Sequence, residues 1–230
     1  MKSIKIGLLA AAATFAMGGV ALAQDEGPSV SFNVGVNSDY VFRGVSQTDE
    51  NPEIYGGADL TSGIFYAGVW ASNVDFGDST DAEIDGYFGV TPTAGPVSLD
   101  FGAIYYGYVN APSHSDYGYW EFKAAGSVPA GPASVGAAVY YSPDFFGGTG
   151  EALYYEINGS VPLADKFSLS AALGHQDIKG PGDYNTWNIG VGYDLNDHIG
   201  FDLRYHDTDD HGGLGNIGKA RVVVGVKASF

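Results

Sequence analysis

The chain closes on a strict two-residue rhythm. Ala220, Val222, Val224, Val226, Ala228 and Phe230 are apolar, and Lys219, Arg221, Val223, Gly225, Lys227 and Ser229 fall between them. Side chains on a strand point alternately to opposite faces. This segment therefore has one face fit for hydrocarbon and one that carries three positive charges. An aromatic last residue on the apolar face is the ending expected of an outer-membrane barrel. The competing fold is a soluble β-sandwich, whose last strand would also alternate.

The start of the chain separates the two. Lys2 and Lys5 precede an apolar run from Ile6 to Met17, and Ala21-Leu22-Ala23 is a small-residue cleavage site. Residues 1–23 read as a secretory signal peptide, with the mature chain starting at Gln24. No later apolar stretch is long enough for a spanning helix. Residues 24–230 are expected to form one domain, a transmembrane antiparallel up-and-down β-barrel.

Composition agrees with export and a barrel. The chain has no cysteine, so no disulfide framework is available. Glycine, tyrosine and phenylalanine are abundant (35, 16 and 13 residues) while only 16% of residues are charged, a turn- and strand-forming balance. A net charge of −17 argues against nucleic acid as a partner, because phosphate contacts need a basic surface.

Alternation predicts twelve strands, over residues 29–42, 53–61, 64–74, 82–92, 97–108, 117–128, 132–142, 151–162, 167–176, 184–194, 198–207 and 218–230. Spans of about nine to eleven residues suit a tilted bilayer crossing. The connections sort by length. Tight turns at 62–63, 93–96, 129–131, 163–166 and 196–197 alternate with longer loops at 43–52, 75–81, 109–116, 143–150, 177–183 and 208–217. Short periplasmic turns and long outer loops are the outer-membrane arrangement, and place both termini in the periplasm. A sandwich has no reason to sort its loops this way.

The sharpest motifs lie within residues 37–76. The segments Ser38-Asp39-Tyr40-Val41-Phe42-Arg43-Gly44-Val45-Ser46-Gln47-Thr48, Tyr55-Gly56-Gly57-Ala58-Asp59 and Phe65-Tyr66-Ala67-Gly68-Val69-Trp70-Ala71-Ser72-Asn73-Val74-Asp75-Phe76 resemble the TorF-type porin family of proteobacterial outer-membrane proteins. The resemblance implies an outer-membrane barrel and a channel. It brings no substrate and no functional residues.

Parity then assigns a lumen. Glu83, Asp85, Asp100, Glu121, Lys123, Glu156, Asp202, Arg204, Arg221 and Lys227 fall on inward positions as candidate pore-lining residues, with Asp59 beside them. An Arg or Lys facing lipid at mid-membrane costs about 2–4 kcal/mol, which favours the inward assignment. Strand direction places Glu83, Asp85 and Glu121 towards the outer mouth, and Lys123, Glu156, Arg204 and Arg221 near mid-height. Asp59, Asp100, Asp202 and Lys227 fall lower. Two arrangements fit these charges: an aqueous path, or a lumen closed by Arg–carboxylate pairs. Acidic outer loops, with Asp49, Glu50, Asp75, Asp78, Asp81, Asp209 and Asp210 among their residues, would concentrate cations at the mouth. They equally suit contact with lipopolysaccharide.

Aromatic residues gather near strand ends. Tyr40 and Phe42, Phe65 and Tyr66, Phe167 and Phe230 are among them, and those that face outward are candidates for the two interfacial girdles. Tyr106, Tyr108, Tyr119, Tyr140 and Tyr154 have lumen parity and read as filling. Metal and catalytic signals are weak. His206, Asp207, Asp209, Asp210 and His211 match no established ligand spacing. His175 on the lipid face has no clear serine partner for an interfacial lipid hydrolase.

The sequence thus predicts a non-enzymatic outer-membrane channel of a Gram-negative bacterium, without cofactor or metal. It would pass small polar or ionic solutes with a preference for cations. Its partners would be outer-membrane lipids, lipopolysaccharide and, through Phe230, the barrel-assembly machinery. The alternative is a non-conducting barrel that presents its acidic loops.

Overall fold

A computed structural model describes residues 27–180 and 182–230. The expected signal peptide and its Ala23–Gln24 cleavage site lie outside the described residues. Twelve antiparallel strands form one closed barrel. They are β1 (Ser29–Asn37), β2 (Glu53–Ser62), β3 (Phe65–Asn73), β4 (Ala82–Val90), β5 (Val97–Val109), β6 (Tyr119–Ala130), β7 (Ala133–Ser142), β8 (Ala152–Ala164), β9 (Phe167–Ile178), β10 (Tyr184–Asp194), β11 (Ile199–Thr208) and β12 (Arg221–Ser229). Each strand pairs with its sequence neighbours. The seam closes where β12 meets β1, with Val226 opposite Val36. Phe32 and Phe230 exchange backbone hydrogen bonds of 3.0 and 2.9 Å at the end of that seam.

The burial pattern inverts that of a soluble protein. On the outer wall Phe65, Ile84, Leu203, Val222 and Val224 are about half exposed or more, and so are their apolar neighbours. On the inner wall Glu53, Glu83, Asp85, Glu121 and Gln176 are buried. A sheet that turns apolar residues out and carboxylates in has hydrocarbon for its outer solvent. This rules out the sandwich, which needs a dry apolar interior.

Two strand boundaries differ from expectation by three residues or more, and each has a local cause. β1 stops at Asn37 rather than 42, because residues 38–52 leave the wall and turn into the barrel. The last strand begins at Arg221 rather than 218, because Gly215–Gly218 wind into one 3-10 turn. Arg221 therefore sits at the long-loop rim, where it meets Asp39, and not at mid-height. Tyr40 and Phe42 do not belong to an interfacial girdle. Tyr40 is 4% exposed inside the barrel, and the Phe42 ring packs on Tyr106 of the inner wall.

Candidate functional site: a strap across the lumen

Residues 38–52 form a strap that crosses the barrel in its long-loop half. Its tip is a two-residue hairpin. Val41 pairs with Ser46 and Phe42 with Val45. Arg43 and Gly44 turn the corner with φ of +48° and +84°. Positive φ at both central residues is the pattern of a type I′ turn, which matches strand twist. Gly44 has a second reason to be glycine: a Cβ there would collide with the Thr186 hydroxyl and the Thr208 methyl.

The strap is braced on every side. Near its start, Asp39 accepts from the Ser46 hydroxyl at 2.6 Å and the Thr48 hydroxyl at 2.9 Å. Its other carboxylate oxygen accepts from Arg221 of β12 at 2.7 Å. Tyr40 reaches sideways to the wall, packs edge-on against Trp70 of β3 and donates to Glu83 of β4 at 2.7 Å. At the tip, Arg43 grips Glu121 of β6 with two parallel bonds of 2.8 and 2.7 Å, and donates to Gln176 of β9 at 2.9 Å. The guanidinium also lies 4.2 Å from the Tyr154 ring centre and 5.0 Å from that of Tyr140. Burial makes such a pair strong only if every polar atom is met, and here the fork, the amide and the rings meet it.

Below the tip the inner wall is packed with aromatic rings. Tyr106 stacks on Tyr119 at 4.5 Å, and Tyr87, Ile104, Ala138, Tyr140 and Tyr154 complete a buried cluster. Ring filling is what small lumens use. Towards the short-turn end the lumen opens. Asn158 is exposed there, and Ser134, Ser160, Ser170 and Asn188 of the inner wall are half-buried. The barrel thus has a vestibule at one end and a strap at the other.

The ten candidate residues all occupy the inner wall, but not as one group. Glu83, Asp85 and Glu121 stand in the long-loop half under the strap. Lys123 and Asp100 are salt-bridged at 2.5 Å. Arg204 spans Asp202 at 3.1 Å, Asn188 at 2.7 Å and Ser170 at 2.8 Å. Glu156 accepts from Tyr154 at 3.1 Å and from Asn158 at 2.8 Å. Lys227 is half-buried opposite Gly35 and Gly200. Arg221 joins the strap at the long-loop rim instead of mid-height.

Sequence reasoning missed Arg43, Asp39, Glu53 and Gln176 as lumen groups. Arg43 lies in a loop, where parity carries no information, and Asp39 falls in the strand expected over 29–42 with inward parity but was not singled out. Glu53 opens β2 beside the first loop, yet it is buried and accepts from Asn37 at 2.5 Å. Gln176 has inward parity, but no charge drew attention to it.

The remaining clusters disperse. His206 faces inward, while Asp207 is met by His211 at 2.8 Å and by Tyr205 at 2.8 Å. Asp209 is held by Asn185 through the side chain at 2.6 Å and the amide at 2.7 Å. Those bonds keep the Asp209 carboxyl below the usual aspartate range. Among the described residues no group of three or more His, Asp or Glu is placed to hold a metal ion. His175 on the outer wall meets Asn185 at 3.0 Å.

Solved structures share this architecture. A KdgM porin superposes with a TM-score of 0.61 at 12% identity, over 87% of this chain and 99% of that one. A KdgM porin in complex with disordered oligogalacturonate gives 0.60 at 10% identity, over 87% and 98%. The COG4313 outer-membrane channel of Pseudomonas putida F1 gives 0.53 at 9% identity, over 92% and 97%. The fold is that of outer-membrane porins. No curated protein matches the sequence. Residues 22–230 match the family described as bacterial protein of unknown function (Gcw_chp), and the chain belongs to that family.

Proposed function

We propose that this protein is a passive channel of the outer membrane of a Gram-negative bacterium, narrowed by its own first loop and selective for small cations. Its long loops face outward and its vestibule faces the periplasm. The finer assignment to the TorF-type porins rests on residues 38–48, 55–59 and 65–76, the first of which builds the strap. The acidic loops would meet lipopolysaccharide, and Phe230 at the closing seam would be read by the barrel-assembly machinery.

One observation carries this reading: a closed barrel whose inner wall holds more carboxylates than cations. Among the described residues, Glu53, Asp59, Glu83, Asp85 and Glu156 have no lysine or arginine as a hydrogen-bond partner. Fixed negative charge beside a low-dielectric wall raises local cation concentration and repels anions. The same balance argues against a polyanion such as the oligogalacturonate bound by the KdgM porin.

Reversal potentials in a potassium chloride gradient test selectivity. Currents should reverse towards the potassium equilibrium potential; reversal towards chloride would overturn the preference. A second reading follows from the full burial of Arg43 and Glu121: the strap stays latched and the barrel only displays its loops. Insertion without any current would favour that reading.

A further inference from the structure

Glu83 and Asp85 stand two positions apart on β4, both facing the lumen and both nearly inaccessible, at 2% and 1% exposure. Their surroundings are unequal. Glu83 accepts from the Tyr40 hydroxyl of the strap at 2.7 Å, and the Tyr108 hydroxyl lies beside it. Among the described residues no donor reaches either carboxylate oxygen of Asp85. The cations nearest in the lumen are committed elsewhere. Arg43 holds Glu121, Lys123 holds Asp100 and Arg221 holds Asp39.

Two ionised carboxylates are acceptors only, so neither can satisfy the other. A buried carboxylate with neither donor nor counter-charge is strongly unfavourable. A shared proton or a bound cation must complete this pair. The geometry points to a binding site for one small monovalent cation between Glu83 and Asp85, roofed by Tyr40. Two carboxylates and the oxygens of Tyr40 and Tyr108 are a short ligand set. A calcium-like ion asks for six to eight oxygens, and no third acid joins the pair as part of a metal-binding group among the described residues. A monovalent ion is met by fewer charges and can leave again, as a station in a conducting path requires. The inference rests on the proposed cation path for the ion's entry, not for its retention.

The strap links the site to the pore. Tyr40, which donates to Glu83, lies three residues before Arg43, so release of the Arg43–Glu121 fork would also loosen the roof.

Thallium(I), a potassium mimic with strong anomalous scattering, tests occupancy directly in crystals of the full barrel. An anomalous peak between Glu83 and Asp85 is expected, displaced by excess potassium and lost in Asp85→Asn. No peak in the unaltered protein would mean that a shared proton completes the pair, and would overturn the site. A peak that survives Asp85→Asn would overturn it too. The soak of the unaltered protein stands even if the variant does not fold. Occupancy without current would leave the site and remove the channel; cation-selective current without occupancy would do the reverse.

Discussion

The guanidinium of Arg43 and the carboxylate of Glu121, 78 residues apart, meet through two parallel hydrogen bonds inside the barrel, both side chains almost fully buried. The planar fork is what this bond geometry needs, and lysine has no equivalent. Removing one member leaves a buried charge unpaired, a cost of about 3–5 kcal/mol. Arg43→Ala and Glu121→Leu should each destabilise the barrel by that order in detergent unfolding. The double variant should cost clearly less than their sum. Additive costs would show that the fork does not hold the strap.

Gly44 should be nearly as intolerant. Alanine at a left-handed φ costs about 1–2 kcal/mol, and its Cβ would strike Thr186 and Thr208. The chain has no cysteine, so Val41→Cys supplies a single reporter at a position only 6% exposed. Maleimide should label it slowly in the parent and several-fold faster with Gly44→Ala. Equal rates would contradict the strap's dependence on this turn.

The two walls should respond oppositely to charge. Val224 on the outer wall is 56% exposed, and Val224→Arg should cost about 2–4 kcal/mol in a bilayer. Asn158, exposed on the inner wall, should accept arginine with little loss of stability and a shift of selectivity away from cations. Folding in lipid vesicles and reversal potentials read the two effects.

Asp209 ties the last loop to β10 through Asn185. These bonds favour the ionised carboxyl, so its folded-state pKa lies below its unfolded value. The stabilising contribution is then complete above the ordinary aspartate range of about 3.9 and is lost as pH falls through the lower folded value. Carbon-detected NMR should place the Asp209 midpoint below that range, and Asn185→Ala should raise it. A midpoint at or above the ordinary value would contradict the tether.

The wall of the barrel was legible in the sequence because each strand repeats one binary choice. Val135, Ala137 and Val139 face out, and Ser134, Gly136 and Ala138 face in, so parity alone assigns both faces. The strap was not legible, because its partners are remote. Arg43 is positioned by Glu121 and Gln176, and Asp39 by Arg221 at a separation of 182 residues. Parity carried past Asn37 sent Tyr40 and Phe42 to a membrane girdle. The local hint was Arg43-Gly44 between Val41-Phe42 and Val45-Ser46, a short hairpin signal inside a presumed loop. The first of the three segments that carry the family resemblance is this same stretch.

Single-channel conductance of the barrel with residues 39–48 replaced by a short glycine–serine linker tests the account most directly. If the strap is the constriction, the shortened chain should conduct several-fold more than the parent in planar bilayers while keeping its barrel fold. Equal conductance in the two proteins would contradict it.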